Sequence, residues 1–135
     1  MMPKLKSILL IDDDDATNFL HQMVVEKSEI TEYVHTCSSG QLALDYLTEA
    51  TNGKYPQPDL IFLDINMPKM NGWEFLEEYN KLNPDQKGRI VVVMLTTSIN
   101  PDDKAMAESL GIITGFMNKP LTEEMLYNLY KQHFG

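Results

Sequence analysis

Four apolar segments of this sequence end in side chains that could do chemistry together. These side chains are Asp12, Asp13, Asp64, Thr96, Thr97 and Lys119. Carboxylates that converge repel one another, and a hard divalent cation such as Mg²⁺ relieves that repulsion. A hydroxyl and an ammonium group are not needed for the cation, but they suit the oxygens of an added phosphoryl group. A carboxylate that attacked such a group would form an acyl phosphate.

The elements that must position these side chains are short strands. Five apolar runs predict strands at 8–11, 33–37, 60–63, 90–95 and 115–118, and amphipathic segments alternate with them. This alternation is typical of a parallel sheet covered by helices on both faces. The carboxyl ends of all strands then lie along one edge of the sheet. We therefore predict one doubly wound α/β domain over residues 1–135, with the chemical side chains at that edge.

Several helix starts can also be predicted. Asp15 or Thr17 is the predicted N-cap of the first helix, and its apolar residues Phe19, Leu20, Met23 and Val24 repeat at helical spacing. Ser38 begins a predicted second helix, with Gln41 completing a capping box. The later starts are a helix after Gly72, a helix with Asn100 as N-cap and Pro101 at N1, and a helix opened by Thr122.

Composition limits the classes of function. The formal charge of −9 on 135 residues argues against nonspecific binding to nucleic acid or to an anionic membrane surface. Cys37 is the single cysteine, so it forms no internal disulfide and fits a reducing compartment. The first residues, MMPKLKS, lead into an apolar run too short for a signal peptide or a membrane span. We therefore expect a cytoplasmic protein.

Four motifs resemble the receiver domains of bacterial two-component response regulators. They are ILLIDDDD at 8–15, LDINMPKMNG at 63–72, MLTTS at 94–98 and GFMNKP at 115–120, and the likeness extends from Lys6 to Phe134. The resemblance implies a flavodoxin-like fold with five strands in the order 2-1-3-4-5 and five helices. That order is a property of the family and does not follow from the spacing of the runs.

The resemblance also implies a role for each acidic residue. Asp64 would be the phosphoacceptor and a ligand of Mg²⁺. Asp13 would bind the metal directly, and Asp12 would act mainly through a coordinated water. Asn66 would offer its backbone carbonyl to the same ion.

The resemblance also implies residues that contact the phosphoryl group. Lys119 would pair with a phosphoryl oxygen, and its peptide bond to Pro120 would be cis. Thr96 would hydrogen-bond the phosphoryl group, and Phe116 would change rotamer on activation.

Two features depart from the family pattern. The stretch from residue 111 to Phe116 is one residue longer than usual, which leaves Thr97 as a rival to Thr96; we prefer Thr96 as the first hydroxyl after the apolar run. Phe116 replaces a more usual tyrosine, so it would respond through burial alone.

As a whole, the resemblance implies a stand-alone receiver without an output domain. It would take a phosphoryl group from the phosphohistidine of a sensor histidine kinase or histidine phosphotransfer protein. It would catalyse only its own phosphorylation and dephosphorylation, and would signal through an altered surface read by a downstream protein. We expect a monomer, or a dimer linked to phosphorylation.

Two alternatives stay open at this point. Asp13, Asp15 and Thr17 spell the DxDxT pattern of haloacid-dehalogenase-like phosphatases, in which Asp13 would be the nucleophile. The chain is short for that fold, and Asp64 and Lys119 would then have no coordinated role. A receiver-like adaptor that binds no Mg²⁺ is the second alternative.

Overall fold

The computed structural model describes residues 4–87, 91–97, 100–110 and 115–134. Its strands are β1 (Leu5–Ile11), β2 (Thr31–Cys37), β3 (Leu60–Asp64), β4 (Val91–Thr96) and β5 (Gly115–Asn118). Its helices are α1 (Asp15–Ser28), α2 (Gly40–Thr48), α3 (Gly72–Asn80), α4 (Pro101–Leu110) and α5 (Glu123–His133). All paired strands are parallel, and their order is β2-β1-β3-β4-β5. The predicted fold class and strand order are confirmed.

The centre of the sheet is buried on both faces because runs of consecutive apolar residues make up most of β1, β3 and β4. All of β3 is buried, for example. Leu9 and Ile11 pack in the cluster that holds α2 and α3 against one face, whereas Ile8 and Leu10 pack with residues of α1 and α5 on the other. Two hydrophobic layers therefore clamp the sheet, and its carboxyl edge stays free to carry polar side chains.

Helix α1 buries a different face from the one its apolar repeat indicates. Phe19 is 63% exposed and Met23 is 52% exposed, whereas Val25 is fully buried. Asn18 and His21 are buried beside Val25. At 100° per residue these inner positions lie on the side of the helix opposite Phe19 and Met23. Helical spacing thus predicted the helix correctly, but it did not identify the buried side.

Polar side chains can face inward on α1 because backbone groups meet them there. The amide nitrogen of Asn18 donates to the carbonyls of Asp12 (2.8 Å) and Cys37 (3.2 Å). The ring nitrogen Nε2 of His21 accepts from the backbone N–H of Leu121 at 3.2 Å. Burial of polar groups costs little when they are hydrogen-bonded in this way.

Two of the predicted helix caps are confirmed and two are wrong by one residue or more. Asn100 accepts from the N–H of Asp102 at 2.8 Å, and Thr122 accepts from Met125 at 3.2 Å. The first helix is instead capped by Asp14, whose carboxylate accepts from the Ala16 N–H and the Thr17 hydroxyl. The second is capped by Ser39, which accepts from the Leu42 N–H. The cap of the first helix therefore lies one residue earlier than the nearer predicted cap, and the cap of the second lies one residue later than predicted.

Some expectations cannot be compared with the structure. Ile90, Gly111 and the stretch 111–114 lie outside the described residues.

Strand β4 reaches Thr96, one residue beyond the predicted end, which places this hydroxyl on the strand itself. Among the described residues, no helix is both long and apolar enough to cross a bilayer.

Candidate functional site

An acidic cluster lies where β1 and β3 end. These strands are neighbours, with Ile11 paired to Leu63, so the residues that follow Ile11 lie beside Asp64. Asp12 and Asp64 are buried, at 4% and 6% exposure, while Asp13 is exposed. One carboxylate oxygen from each of the three lies within 4.8 Å of the others. Topology alone therefore collects three carboxylates from two separate parts of the chain.

Lys119 reaches this cluster from the far edge of the sheet. Its backbone N–H donates to the carbonyl of Thr96 at 2.7 Å, which fixes the turn after β5. Its Nζ lies 2.5 Å from Asp12 Oδ2 and 3.2 Å from Asp64 Oδ1. The peptide bond to Pro120 is cis. The ammonium group thus bridges the two buried carboxylates.

The charges in the cluster are not balanced. Among the residues that the structure describes, three carboxylates face one ammonium group, which leaves two negative charges uncompensated. Burial and the neighbouring Asp12 raise the pKa of Asp64, although Lys119 and a backbone hydrogen bond from Asn66 oppose that rise. Burial alone would lower the pKa of Lys119, but its contacts with Asp12 and Asp64 outweigh burial and raise that pKa. The site therefore favours a further cation.

The donor set fits a hard divalent cation. Its ligand atoms are carboxylate oxygens at one small site, without the nitrogen or sulfur donors that zinc prefers. Asp13 is exposed, so one side of the cluster is open to solvent and to retained waters. This agrees with the divalent-cation site predicted from the sequence at Asp12, Asp13 and Asp64.

A tight loop after Asp64 shapes the rest of the site. The N–H of Gly72 donates to the carbonyl of Ile65 at 2.8 Å, so the chain folds back onto the end of β3. A Cβ at position 72 would lie 2.7 Å from the carbonyl oxygen of Asp64, closer than real contacts allow. Asn71 then starts α3 through a capping box with Glu74. The glycine is therefore required for the close approach of α3 to the end of β3.

The two threonines after β4 differ in environment. Thr96 is 3% exposed at the last position of the strand, next to the register pair of Asp64 and Leu95. Thr97 is exposed. A buried hydroxyl at the sheet edge suits the predicted role of Thr96 better, and the assignment remains a prediction.

Phe116 and Asn66 lie where the sequence motifs place them. Phe116 is partly buried, pairs with Met94 in the register of the sheet, and packs against the α2–α3 side of the core. Asn66 is exposed just beyond Asp64. The extra residue predicted before Phe116 falls within 111–114, outside the described residues. The switch role of Phe116 and the ligand role of Asn66 therefore stay predictions.

Sequence reasoning missed two residues that support the site from α1. Asn18 ties the carbonyl of Asp12 to that of Cys37, and thereby holds the turn that carries the acidic run. His21 holds the backbone of Leu121, two residues after Lys119. A lone asparagine and a lone histidine in a helix carry no sequence signal for such contacts, which depend on how α1 lies against the sheet.

The fold and the site together define a class of protein. It is a doubly wound parallel α/β domain with an acidic cation site and a lysine at the carboxyl ends of its strands. The family model for the response regulator receiver domain matches residues 8–131. The chain therefore belongs to the response regulator receiver family of two-component signalling.

Relatives with known names agree with this membership. Response regulator Rcp1 of Synechocystis sp. is 45% identical over 110 residues, which cover 79% of this chain and 72% of the relative. A two-component response regulator from Cytophaga hutchinsonii superposes with a TM-score of 0.85 at 36% identity, covering 96% of both chains. The Mn²⁺-bound form of Rcp1 superposes with a TM-score of 0.70 at 35% identity, covering 94% of this chain and 90% of that one.

The phosphatase alternative is not supported. The family match assigns the chain to receivers. In the structure, Asp15 is an exposed residue of the first helical turn, and the Thr17 hydroxyl donates to Asp14 at 2.7 Å. The DxDxT pattern is therefore part of a helix start rather than a catalytic loop.

Proposed function

We propose that this receiver is a switch in which Asp64 accepts a phosphoryl group in a Mg²⁺-dependent reaction. The donor would be the phosphohistidine of a sensor histidine kinase or histidine phosphotransfer protein. One observation carries the proposal: Lys119 Nζ contacts Asp64 at 3.2 Å inside a cluster of three carboxylates. Phosphoryl transfer to a carboxylate requires the carboxylate itself, an ammonium group and a cation site, and all three lie together here.

The chemical step uses residues already in place. A carboxylate oxygen of Asp64 would attack phosphorus, the bond from phosphorus to the donor's histidine nitrogen would break, and that nitrogen would leave with the electron pair and take up a proton. Asp12, Asp13, Asp64 and the backbone carbonyl of Asn66 would hold Mg²⁺. When bound, the ion would offset negative charge as the phosphoryl group approaches. The Mn²⁺-bound form of the related Rcp1 supports binding of a divalent cation by this chain.

Lys119 lies where it could contact the phosphoryl group after transfer to Asp64. Its ammonium group touches both Asp12 and Asp64, so a small movement would carry it onto a phosphoryl oxygen on Asp64. Thr96 would turn its hydroxyl toward another phosphoryl oxygen, and Phe116, half-buried on the neighbouring strand, would turn inward. These movements would shift a pre-existing equilibrium between two surfaces rather than catalyse a reaction on another substrate.

The exposed apolar side of α1 supplies a surface for the phosphodonor protein. Leu20 and Met23 line a groove of about 550 Å³ between α1 and the start of α5, which Leu121 closes from the other side. Leu20 is 59% exposed. Helix α1 begins with the last of the four consecutive aspartates, and Leu121 follows Lys119 by two residues, so both walls of the groove lie close in sequence to the acidic cluster. A protein that delivers a phosphoryl group to Asp64 would therefore cover this groove.

A receiver of this kind would act in the cytoplasm, as a monomer or as a dimer formed on phosphorylation. Its output would be the altered surface near α4 and β5, read by a downstream protein or by a second copy.

The direct test is phosphorylation by a small phosphodonor. The wild-type protein, incubated with an acyl phosphate and Mg²⁺, should gain the mass of one phosphoryl group, and a chelator should prevent this. Asp64→Asn should gain none. Asp15→Asn is the matched control, since Asp15 is an exposed neighbour of the acidic cluster, and it should behave as wild type. Equal labelling of folded Asp64→Asn, with the same dependence on Mg²⁺, would overturn the proposal.

The docking surface has a separate test. Leu20→Glu should slow transfer from a histidine-phosphorylated donor protein by tenfold or more, taking ~1.4 kcal/mol as a tenfold effect. The same variant should react with the small acyl phosphate at the wild-type rate. Unchanged transfer from the protein donor would show that α1 is not part of the interface with the phosphodonor protein.

A further inference from the structure

A second cavity lies at the opposite end of the sheet from Asp64. It has a volume of about 430 Å³, within the usual range for small-molecule sites. Ser7 near the start of β1, Tyr33 on β2 and Tyr46 on α2 line it, together with the segment after α2. Ser7 precedes Asp12 by five residues, which separates the two sites by about 16 Å along the strand.

The outer wall of this cavity is an ordered turn rather than a loose loop. Thr51 and Lys54 exchange two backbone hydrogen bonds of 2.8 and 3.0 Å. Asn52 and Gly53 between them have φ angles of 53° and 78°, as a two-residue type I′ turn requires. The turn presents Lys54 and the following Tyr55 to the cavity.

Aromatic rings form much of the lining. Tyr33, Tyr46 and Tyr55 all border the cavity. The His35 ring stacks on Tyr46 with centroids 3.9 Å apart and an angle of 6°, and Tyr33 stacks on His35 at 6.3 Å. Burial raises the pKa of Tyr46 to about 12, so its hydroxyl keeps its proton as a hydrogen-bond donor. Rings held in this way offer flat faces on which another ring can stack.

The cavity is locally cationic on an acidic protein. Lys6 and Lys54 line it against a single carboxylate, Glu32, whereas the whole chain carries −9. Within the described part of the chain, neither ammonium group forms an ion pair. Two unpaired lysines beside tyrosines favour a ligand that carries both an aromatic ring and an anionic group.

Ser7 forms part of the wall of the cavity. Its side chain is buried, at 5% exposure, and its hydroxyl has no hydrogen-bond partner among the residues that the structure describes. A buried polar group without a partner is costly, on the order of 1–3 kcal/mol, unless another molecule supplies the bond. The Ser7 oxygen is closed off from solvent, so a ligand in the cavity would be held by the tyrosines and lysines instead.

We propose that this cavity binds a nucleoside monophosphate. The base would stack on the tyrosines, since stacking on aromatic side chains tolerates any base. The phosphate would lie between Lys54 and Lys6, which act as point charges toward phosphate. The site is separate from the acidic cluster and takes no part in the transfer to Asp64.

Calorimetric titration of the full chain tests this, in chelator so that no metal links a nucleotide to the acidic cluster. AMP or GMP should bind, and adenosine and inorganic phosphate should each bind at least tenfold more weakly. Lys54→Ala should weaken nucleotide binding about tenfold, which equals the loss of one charge-assisted contact. Lys81→Ala is the matched control, because Lys81 is exposed on another surface and pairs with Glu78.

Amide spectra recorded during the titration locate the ligand. Shifts at Tyr33, Tyr46 and Lys54 are expected, and residues 12, 13 and 64 should stay unchanged. The proposal is overturned if neither nucleotide binds at millimolar concentration, if adenosine binds as tightly as AMP, or if Lys54→Ala binds like wild type. Shifts confined to the acidic cluster would also overturn it. None of these results bears on phosphorylation of Asp64, which is measured without nucleotide.

Discussion

Replacing Asp64 with asparagine should stabilise the protein when no metal is present. The carboxylate oxygens of the cluster lie within 4.8 Å of one another, and at that separation Coulomb's law with an effective dielectric constant of ~20 gives a repulsion of roughly 3.5 kcal/mol for each pair. The same treatment gives the 3.2 Å contact with Lys119 roughly 5 kcal/mol of attraction. Repulsion from Asp12 and Asp13 together exceeds this attraction by roughly 2 kcal/mol before screening. Solvent screening of the exposed Asp13 reduces that excess, whereas the cost of burying the Asp64 charge, the main cause of its raised pKa, adds to it. We therefore expect Asp64→Asn to raise the free energy of unfolding by about 1–2 kcal/mol at neutral pH.

The effect should depend on pH in a defined direction. The pKa of Asp64 in the folded protein is raised above its ordinary value of 3.8, chiefly by burial. A group whose pKa is raised on folding favours the folded state below its ordinary pKa and loses that contribution as the pH rises through the folded value. Wild type and Asp64→Asn should therefore be equally stable at acid pH and differ increasingly above 3.8.

Urea unfolding in chelator, followed by the fluorescence of Trp73, measures this difference. Trp73 packs against the core beside the site, and it is the chain's single tryptophan. Mg²⁺ at a hundredfold excess over its dissociation constant should then stabilise wild type by about 2.7 kcal/mol and the variant by much less. Asp15→Asn should match wild type within about 0.5 kcal/mol. The reasoning fails if Asp64→Asn is no more stable than wild type in chelator, or if Mg²⁺ stabilises both equally.

Three further predictions concern the parts that support the site. Gly72→Ala should destabilise the protein by about 1–3 kcal/mol because its Cβ meets backbone at 2.7 Å, while Gly115→Ala, with only a 3.5 Å contact, should change the urea midpoint little. Val25→Ala should cost about 1.6 kcal/mol for two buried carbons, whereas Met23→Ala on the exposed side of α1 should cost less than about 0.5 kcal/mol; equal losses would contradict the orientation of the helix. Burial lowers the pKa of His21 from 6.5, so wild type should lose stability relative to His21→Gln as the pH falls below 6.5, and a difference independent of pH would show that His21 does not titrate on unfolding.

The sheet and the position of the acids could be predicted because apolar runs are local signals. Leu60 to Leu63 is buried on both sides, and any carboxylate that follows such a strand must lie at the carboxyl edge. The placement of Asp64 beside Asp12 then follows from strand order alone. Strand order itself came from the resemblance to receivers, because the spacing of the runs does not determine it.

The inner face of α1 could not be predicted, for a physical reason. Phe19 and Met23 look like core residues by type, yet they are exposed. Asn18 and His21 take the inner positions because Asn18 donates to backbone carbonyls there and His21 accepts from a backbone N–H. Such partners exist only after the sheet has formed. The cap at Asp14 rather than Asp15 has the same origin, since the N–H of Asp14 donates to Asp12 within the turn that the sheet edge defines.

The central claim is that Asp64 carries the phosphoryl group. Reduction of the phosphorylated protein with borohydride converts an aspartyl phosphate to homoserine, which peptide mass spectrometry locates. We predict homoserine at position 64 in the sample treated with phosphodonor and Mg²⁺, and aspartate there when a chelator replaces the metal. Homoserine at position 12 or 13 instead, or none after a confirmed gain of one phosphoryl group, would contradict the account.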